Sequence, residues 1–66
     1  MRVTVNNEVR EVGPGTTVAD LLRALELEGK PCAAEVNRKL VPKREHGSHV
    51  LLEGDVVELV TLVGGG

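Results

Sequence analysis

A few places in this chain hold residues whose types and spacing could do chemistry. Cys32 is its one thiol, and His46 and His49 stand three apart. A zinc site takes about four ligands, three of them from protein even when catalytic, and Cys32 is the only soft ligand left to join the two histidines. The pair therefore reads as solvated loop histidines, with no metal site. A single cysteine beside Pro31, at the start of an apolar run, reads as a small core residue and not as a nucleophile. Lys43-Arg44 could attract an anion, but two adjacent cations are what an ordinary solvated loop shows. Gly13-Pro14-Gly15 precedes a helix as phosphate-binding loops do, yet it lacks the Gly-Lys-Ser/Thr sequence and any dinucleotide fingerprint, so it reads as a turn. The strongest candidate is the end of the chain, Leu62-Val63-Gly64-Gly65-Gly66. Glycine has no Cβ, so such a tail can thread a narrow slot and adopt backbone angles closed to other residues. Its reactive group would be the Gly66 carboxylate, with Gly64 and Gly65 giving access. A frayed terminus is the plain alternative, but frayed ends tend to be polar and mixed, unlike three glycines directly after an apolar strand.

The elements that must position this tail follow from periodicity. Arg2 to Val5 alternates, with Val3 and Val5 on one face, and predicts a half-buried strand. Asn6-Asn7 predicts a two-residue hairpin turn, because Asn tolerates positive φ. Glu8 to Val12 returns as a second strand. Its Val9 and Val12 have opposite parities, which predicts a bulge or an early exit. Thr17 and Asp20 form a capping pair at a helix start, and Val18, Leu21, Leu22 and Leu25 make one apolar stripe at helical spacing. Gly29 is the predicted C-terminal cap, with Pro31 preventing continuation, so the helix should run for about two and a half turns. Cys32 to Val36 and Leu40-Val41 predict a hairpin about Asn37-Arg38-Lys39, followed by a polar loop from Lys43 to His49. Glu53-Gly54-Asp55 is a turn. The last strand, Val56 to Val63, is apolar on both parities: Val57, Leu59 and Val63 on one, Val56, Val60 and Leu62 on the other. Such a strand is normally central, with both faces covered. One helix covers one face only, so the other should present an apolar patch of the kind that marks a partner surface. Val60 and Leu62 are the residues predicted to lie on it.

Composition narrows the function classes. The chain has 66 residues, which is one domain near the lower size limit for folding alone. It has no Phe, Tyr or Trp and a net charge of −2, which argues against base stacking and phosphate-backbone binding alike. One cysteine cannot form an internal disulfide. No charged-then-apolar leader follows Met1, and no apolar run approaches the ~20 residues of a membrane span. The expectation is a cytoplasmic protein with neither nucleic acid nor membrane as a partner.

Strand-strand-helix-strand-strand-strand in so short a chain describes an α+β layer, one helix packed across a mixed five-stranded sheet. The TTVADLL helix start, the VNRKLVP hairpin, the EGDVVELV strand and the terminal glycines, in that order, resemble the sulfur carriers of thiamine biosynthesis, a branch of the ubiquitin-like β-grasp proteins. The resemblance covers essentially the whole chain and implies a β-grasp domain over residues 1–63 with a flexible tail over 64–66. It departs in small ways: Asn6-Asn7 stands where Asn-Gly is commoner, and three glycines stand where two suffice. The resemblance also implies a non-enzyme that binds no cofactor. Its Gly66 carboxylate would be adenylated by an enzyme of the ubiquitin-activating type, which uses ATP, and then converted to a thiocarboxylate. Sulfur would come from cysteine through a desulfurase and pass to thiazole synthase. Related carriers serving molybdopterin synthesis or tRNA thiolation, a protein-tagging modifier and a plain β-grasp interaction module are the alternatives. Molybdopterin carriers are usually longer, carry aromatics and approach the glycines through a proline, features absent from Leu62-Val63-Gly64.

Overall fold

A computed structural model describes residues 1–61. Five strands form one mixed sheet: β1 (Arg2–Val5), β2 (Glu8–Glu11), β3 (Cys32–Val36), β4 (Lys39–Val41) and β5 (Val56–Thr61), in the order β2-β1-β5-β3-β4. β5 is central. It runs parallel to β1 and antiparallel to β3. A single helix, α1 (Val18–Ala24), crosses one face.

Both hairpins close on asparagine. Asn6 and Asn7 have φ of 48° and 70°, and Asn37 and Arg38 have φ of 53° and 69°. Two consecutive positive φ angles describe the type I′ turn, whose twist matches that of the strands it joins. The second turn is one residue shorter than the sequence predicts, because Lys39 already belongs to β4. β2 keeps an unbroken register against β1 and leaves the sheet at Glu11, so the opposite parities of Val9 and Val12 resolve as an early exit.

The helix begins as predicted and ends sooner. The Thr17 hydroxyl accepts the Asp20 N–H, and the Asp20 carboxylate accepts the Thr17 N–H, both at 3.1 Å. These two bonds hold the Asp20 carboxyl below its ordinary pKa, the Thr17 backbone first and its side chain second. At the other end Gly29 is not the cap. The helix spans 7 residues, and Glu26 takes the left-handed position with φ 60°. The Leu27 N–H donates to the Leu22 carbonyl at 2.8 Å and the Glu26 N–H to the Arg23 carbonyl at 3.0 Å, the bond pattern of a Schellman ending. The exit brings Leu27 back against the core, and that packing outweighs the mild strain of a non-glycine residue at positive φ.

Val3, Val5, Val18, Leu21, Leu22, Ala34, Val36, Val41, Leu51, Val57 and Leu59 make up the core between helix and sheet. Leu51 is fully buried although it lies in no regular element. Its N–H donates to the Thr16 carbonyl at 2.8 Å, and Thr17 bridges to Val50, which ties this segment to the start of α1.

Candidate functional site

The strand leading to the glycines is also the middle of the sheet. Alternation divides β5 cleanly: Val57 and Leu59 are buried under α1, whereas Val56, Glu58 and Val60 are exposed on the opposite face. Cross-strand partners share a face, so the register lays out that outer surface. Ala33 lies opposite Val60, and Glu35 lies between Glu58 and Leu40. Thr4 lies opposite both Val9 and Val56. Val9, Leu40, Val56 and Val60 are 68%, 65%, 47% and 57% exposed. Four separate large aliphatic side chains on one uncovered sheet face form the apolar patch the sequence predicts. Val60 lies on it. Leu62, Gly64, Gly65 and Gly66 lie outside the described residues.

The turn asparagines hold β5 in place from both sides. Asn6 takes the Leu59 N–H on its Oδ1 at 2.8 Å and donates from Nδ2 to the Leu59 carbonyl at 3.2 Å. Asn37 accepts the Val56 N–H on its Oδ1 at 3.0 Å and donates to the Asp55 carboxylate at 3.0 Å. The other Asp55 oxygen accepts the Leu52 N–H at 2.8 Å, so this buried carboxylate is bonded on both oxygens. The sequence marks both asparagines as turn formers only. Their second role needs the knowledge that each turn ends beside β5.

The competing candidates come close together without forming a site. Cys32, Lys30, Lys43 and His46 line an open cleft of about 260 Å³ beside the end of α1. Burial pushes the Cys32 thiol pKa up, which an accepted hydrogen bond at the Val60 backbone only partly offsets. A raised pKa means less thiolate at neutral pH and a weaker nucleophile. His46 corrects the reading of both histidines as solvated. It is 8% exposed, and because a carbonyl can only accept, its Nε2–H donates to the Val41 carbonyl at 3.0 Å. His46 therefore braces the loop after β4, whose first residues, Lys43–Glu45, form a short 3₁₀ helix. Its carbonyl also accepts the Ala19 N–H of α1 at 2.9 Å. His49 is half-buried. Among the described residues no group of three or more His, Cys, Asp or Glu side chains is placed to hold a metal ion, and no helix is long and apolar enough to cross a membrane.

Comparison with known proteins covers the whole chain. A sequence profile of the ThiS family matches residues 3–66, which include the three glycines. The chain is 27% identical over 66 residues to the sulfur carrier protein ThiS of Escherichia coli strain K12, covering 100% of both. It is 33% identical to part of a thiazole synthase from Paramagnetospirillum magneticum, where it spans 20% of that longer protein. The crystal structure of the thiamine biosynthesis protein ThiS from Geobacter metallireducens matches with a TM-score of 0.83 at 28% identity, covering 100% of both chains. The sheet order and single crossing helix are thus those of a ubiquitin-like β-grasp domain.

Proposed function

Because the chain belongs to the ThiS family of sulfur carriers in thiamine biosynthesis, we propose that its working group is the Gly66 carboxylate, carried by a glycine tail on a β-grasp body of residues 1–63. A carboxylate is a poor electrophile at neutral pH. Attack of one of its oxygens on the α-phosphorus of ATP releases pyrophosphate and leaves an acyl-adenylate with a good leaving group. A persulfide sulfur then displaces AMP at the carbonyl carbon, and reductive cleavage of the S–S bond leaves the thiocarboxylate. The adenylating enzyme, of the ubiquitin-activating type, supplies the ATP site; the carrier itself binds no cofactor and acts as co-substrate. Sulfur reaches the persulfide from cysteine through a desulfurase and leaves the carrier for thiazole synthase, all in the cytoplasm. Holding sulfide covalently keeps it from diffusing between the two enzymes. Gly64 and Gly65 let the end of the chain enter both active sites in turn.

The family match over residues 3–66, glycines included, carries this reading. That a related segment occurs within a longer thiazole synthase supports thiazole synthase as the acceptor. The outer sheet face, with Val60 and the neighbouring Leu62, is the docking surface this reading assigns to both enzymes. Deleting Gly65 and Gly66 tests the tail directly. Surface changes of this kind alter stability by no more than about 0.5 kcal/mol, so the truncated protein should unfold like the parent. Incubated with the activating enzyme, ATP and a persulfide donor, it should show none of the mass gain of one sulfur replacing one oxygen. Undiminished pyrophosphate exchange by the truncated protein would refute the assignment.

A further inference from the structure

The edge of β5 changes character along its length. Where β1 lies alongside, the Thr4 N–H donates to the Asp55 carbonyl at 2.9 Å and the Asn6 N–H to the Val57 carbonyl at 3.0 Å. β1 then turns away through Asn6-Asn7. The Asn6 side chain stands in for the next backbone residue, bonding both the N–H and the carbonyl of Leu59. Backbone groups alternate sides along a strand, so Asp55, Val57, Leu59 and Thr61 all face the β1 side. β3 lies on the opposite side, and its register with β5 reaches as far as Cys32 against Thr61. The N–H and carbonyl of Thr61 therefore point past the end of β1, where no hydrogen bond from a described residue meets them, and Thr61 is exposed. An inner strand thus becomes a free edge at the residue before Leu62.

We propose that this edge takes an extended backbone segment of the activating enzyme, added to the sheet as a short strand at Thr61. The proposal deepens the carrier reading and rests on it. A donor and an acceptor on one strand residue, aimed the same way into solvent, are what strand addition uses. The site offers no side-chain charge to select an ion or small ligand. Val60, the preceding residue, is exposed on the outer face and would place an apolar contact beside the new strand. Asn6 fixes where pairing can begin, since the groups before Thr61 on that side are already bonded. A segment bonded there would orient the backbone immediately ahead of the tail, which is the part that must be aimed at the activating enzyme's ATP site. A second copy of the chain would bury the same edge but bring the two tails together.

Hydrogen exchange at single amides tests this. In the free protein the Thr61 amide should exchange fast and the Leu59 amide slowly. In the complex with the activating enzyme Thr61 should slow at least tenfold. Thr61→Pro removes the N–H aimed at the free edge, and no ladder bond to β3 is lost because the Cys32–Thr61 pair is not a hydrogen-bonded one. One net hydrogen bond is worth about tenfold in affinity, so Thr61→Pro should weaken the complex about tenfold while Thr61→Val, which keeps the N–H, leaves it unchanged. Adenylation of the parent with no slowing at Thr61 would overturn the proposal alone. Equal loss of affinity in both variants would overturn it too, since a side-chain contact would then be responsible. Concentration-dependent protection of Thr61 in the carrier by itself would assign the edge to a second copy and overturn it as well. If the parent is not adenylated at all, the carrier reading fails and the proposal fails with it.

Discussion

The two faces of β5 are built from nearly the same side chains and have opposite fates. Val57 and Leu59 are buried beneath α1, and Val56 and Val60, one residue away on either side, are exposed. Hydrophobicity cannot account for the difference, because three of the four are valine. It comes from topology: one helix crosses one side of a five-stranded sheet, and the other side is left uncovered. Apolar residues on the inner face contribute to folding. On the outer face they contribute nothing of that kind, which leaves association as the physical role for them.

The sharpest test of this contrast sets Leu59→Ala against Val60→Asp. Truncating a buried leucine removes transfer energy and leaves a cavity, so Leu59→Ala should cost about 2–5 kcal/mol. That is a large share of the few kcal/mol such a small domain has. Val60→Asp should change the urea midpoint by the equivalent of no more than about 0.5 kcal/mol. It should nevertheless weaken the complex with the activating enzyme about tenfold. If Val60→Asp unfolds the protein, the outer face is core in solution and the contrast collapses.

Much of this arrangement is legible in the sequence because local signals and long-range packing agree. The Thr17–Asp20 capping pair, both Asn turns and the central place of β5 follow from residue type and period alone. The end of α1 does not. Gly29 and Pro31 are the stronger local signals, but Leu27 has to return to the core, and that tertiary demand puts the reversal at Glu26. His46 misleads for a similar reason: Lys43, Arg44, Glu45 and Ser48 make its neighbourhood look solvated, while the imidazole folds under to reach the Val41 carbonyl. Leu51 gives no periodic signal at all, since it is buried from an irregular segment. At the candidate site, an all-apolar strand is compatible with either parity, and only the side on which α1 packs decides that Val60 faces outward.

A smaller effect separates packing from hydrogen bonding on the inner face. Leu59 is held through its side chain by the core and through its backbone by Asn6. Asn6→Gly keeps a residue suited to positive φ and deletes only the amide. The Leu59 backbone would then turn to water, and stability should fall by about 1–2 kcal/mol for two lost bonds. The Leu59 amide should exchange faster than in the parent by more than the global loss of stability accounts for. An unchanged exchange rate would mean that side-chain packing alone fixes this strand, and that Asn6 does not set where the free edge begins.

The smallest expected effect lies on the outer face. Glu35 and Glu58 stand directly opposite each other there, both exposed, in the middle of the patch made by Leu40, Val56 and Val60. Like charges in directly opposed positions destabilise a sheet, and opposite charges stabilise it, each by about 0.2–1 kcal/mol. Glu58→Lys should therefore raise the stability of the free protein by several tenths of a kcal/mol at low ionic strength. Because both groups are in water, the gain should shrink as added salt shortens the screening length from about 30 Å at 0.01 M to about 3 Å at 1 M. Urea titrations of both proteins at those two salt concentrations measure it. A gain that vanishes in salt would show that the outer face keeps an arrangement worse for folding than a single substitution supplies, as expected of a surface shaped by association. No gain at low salt would mean that the two carboxylates splay apart, and the inner and outer faces would then differ in burial alone.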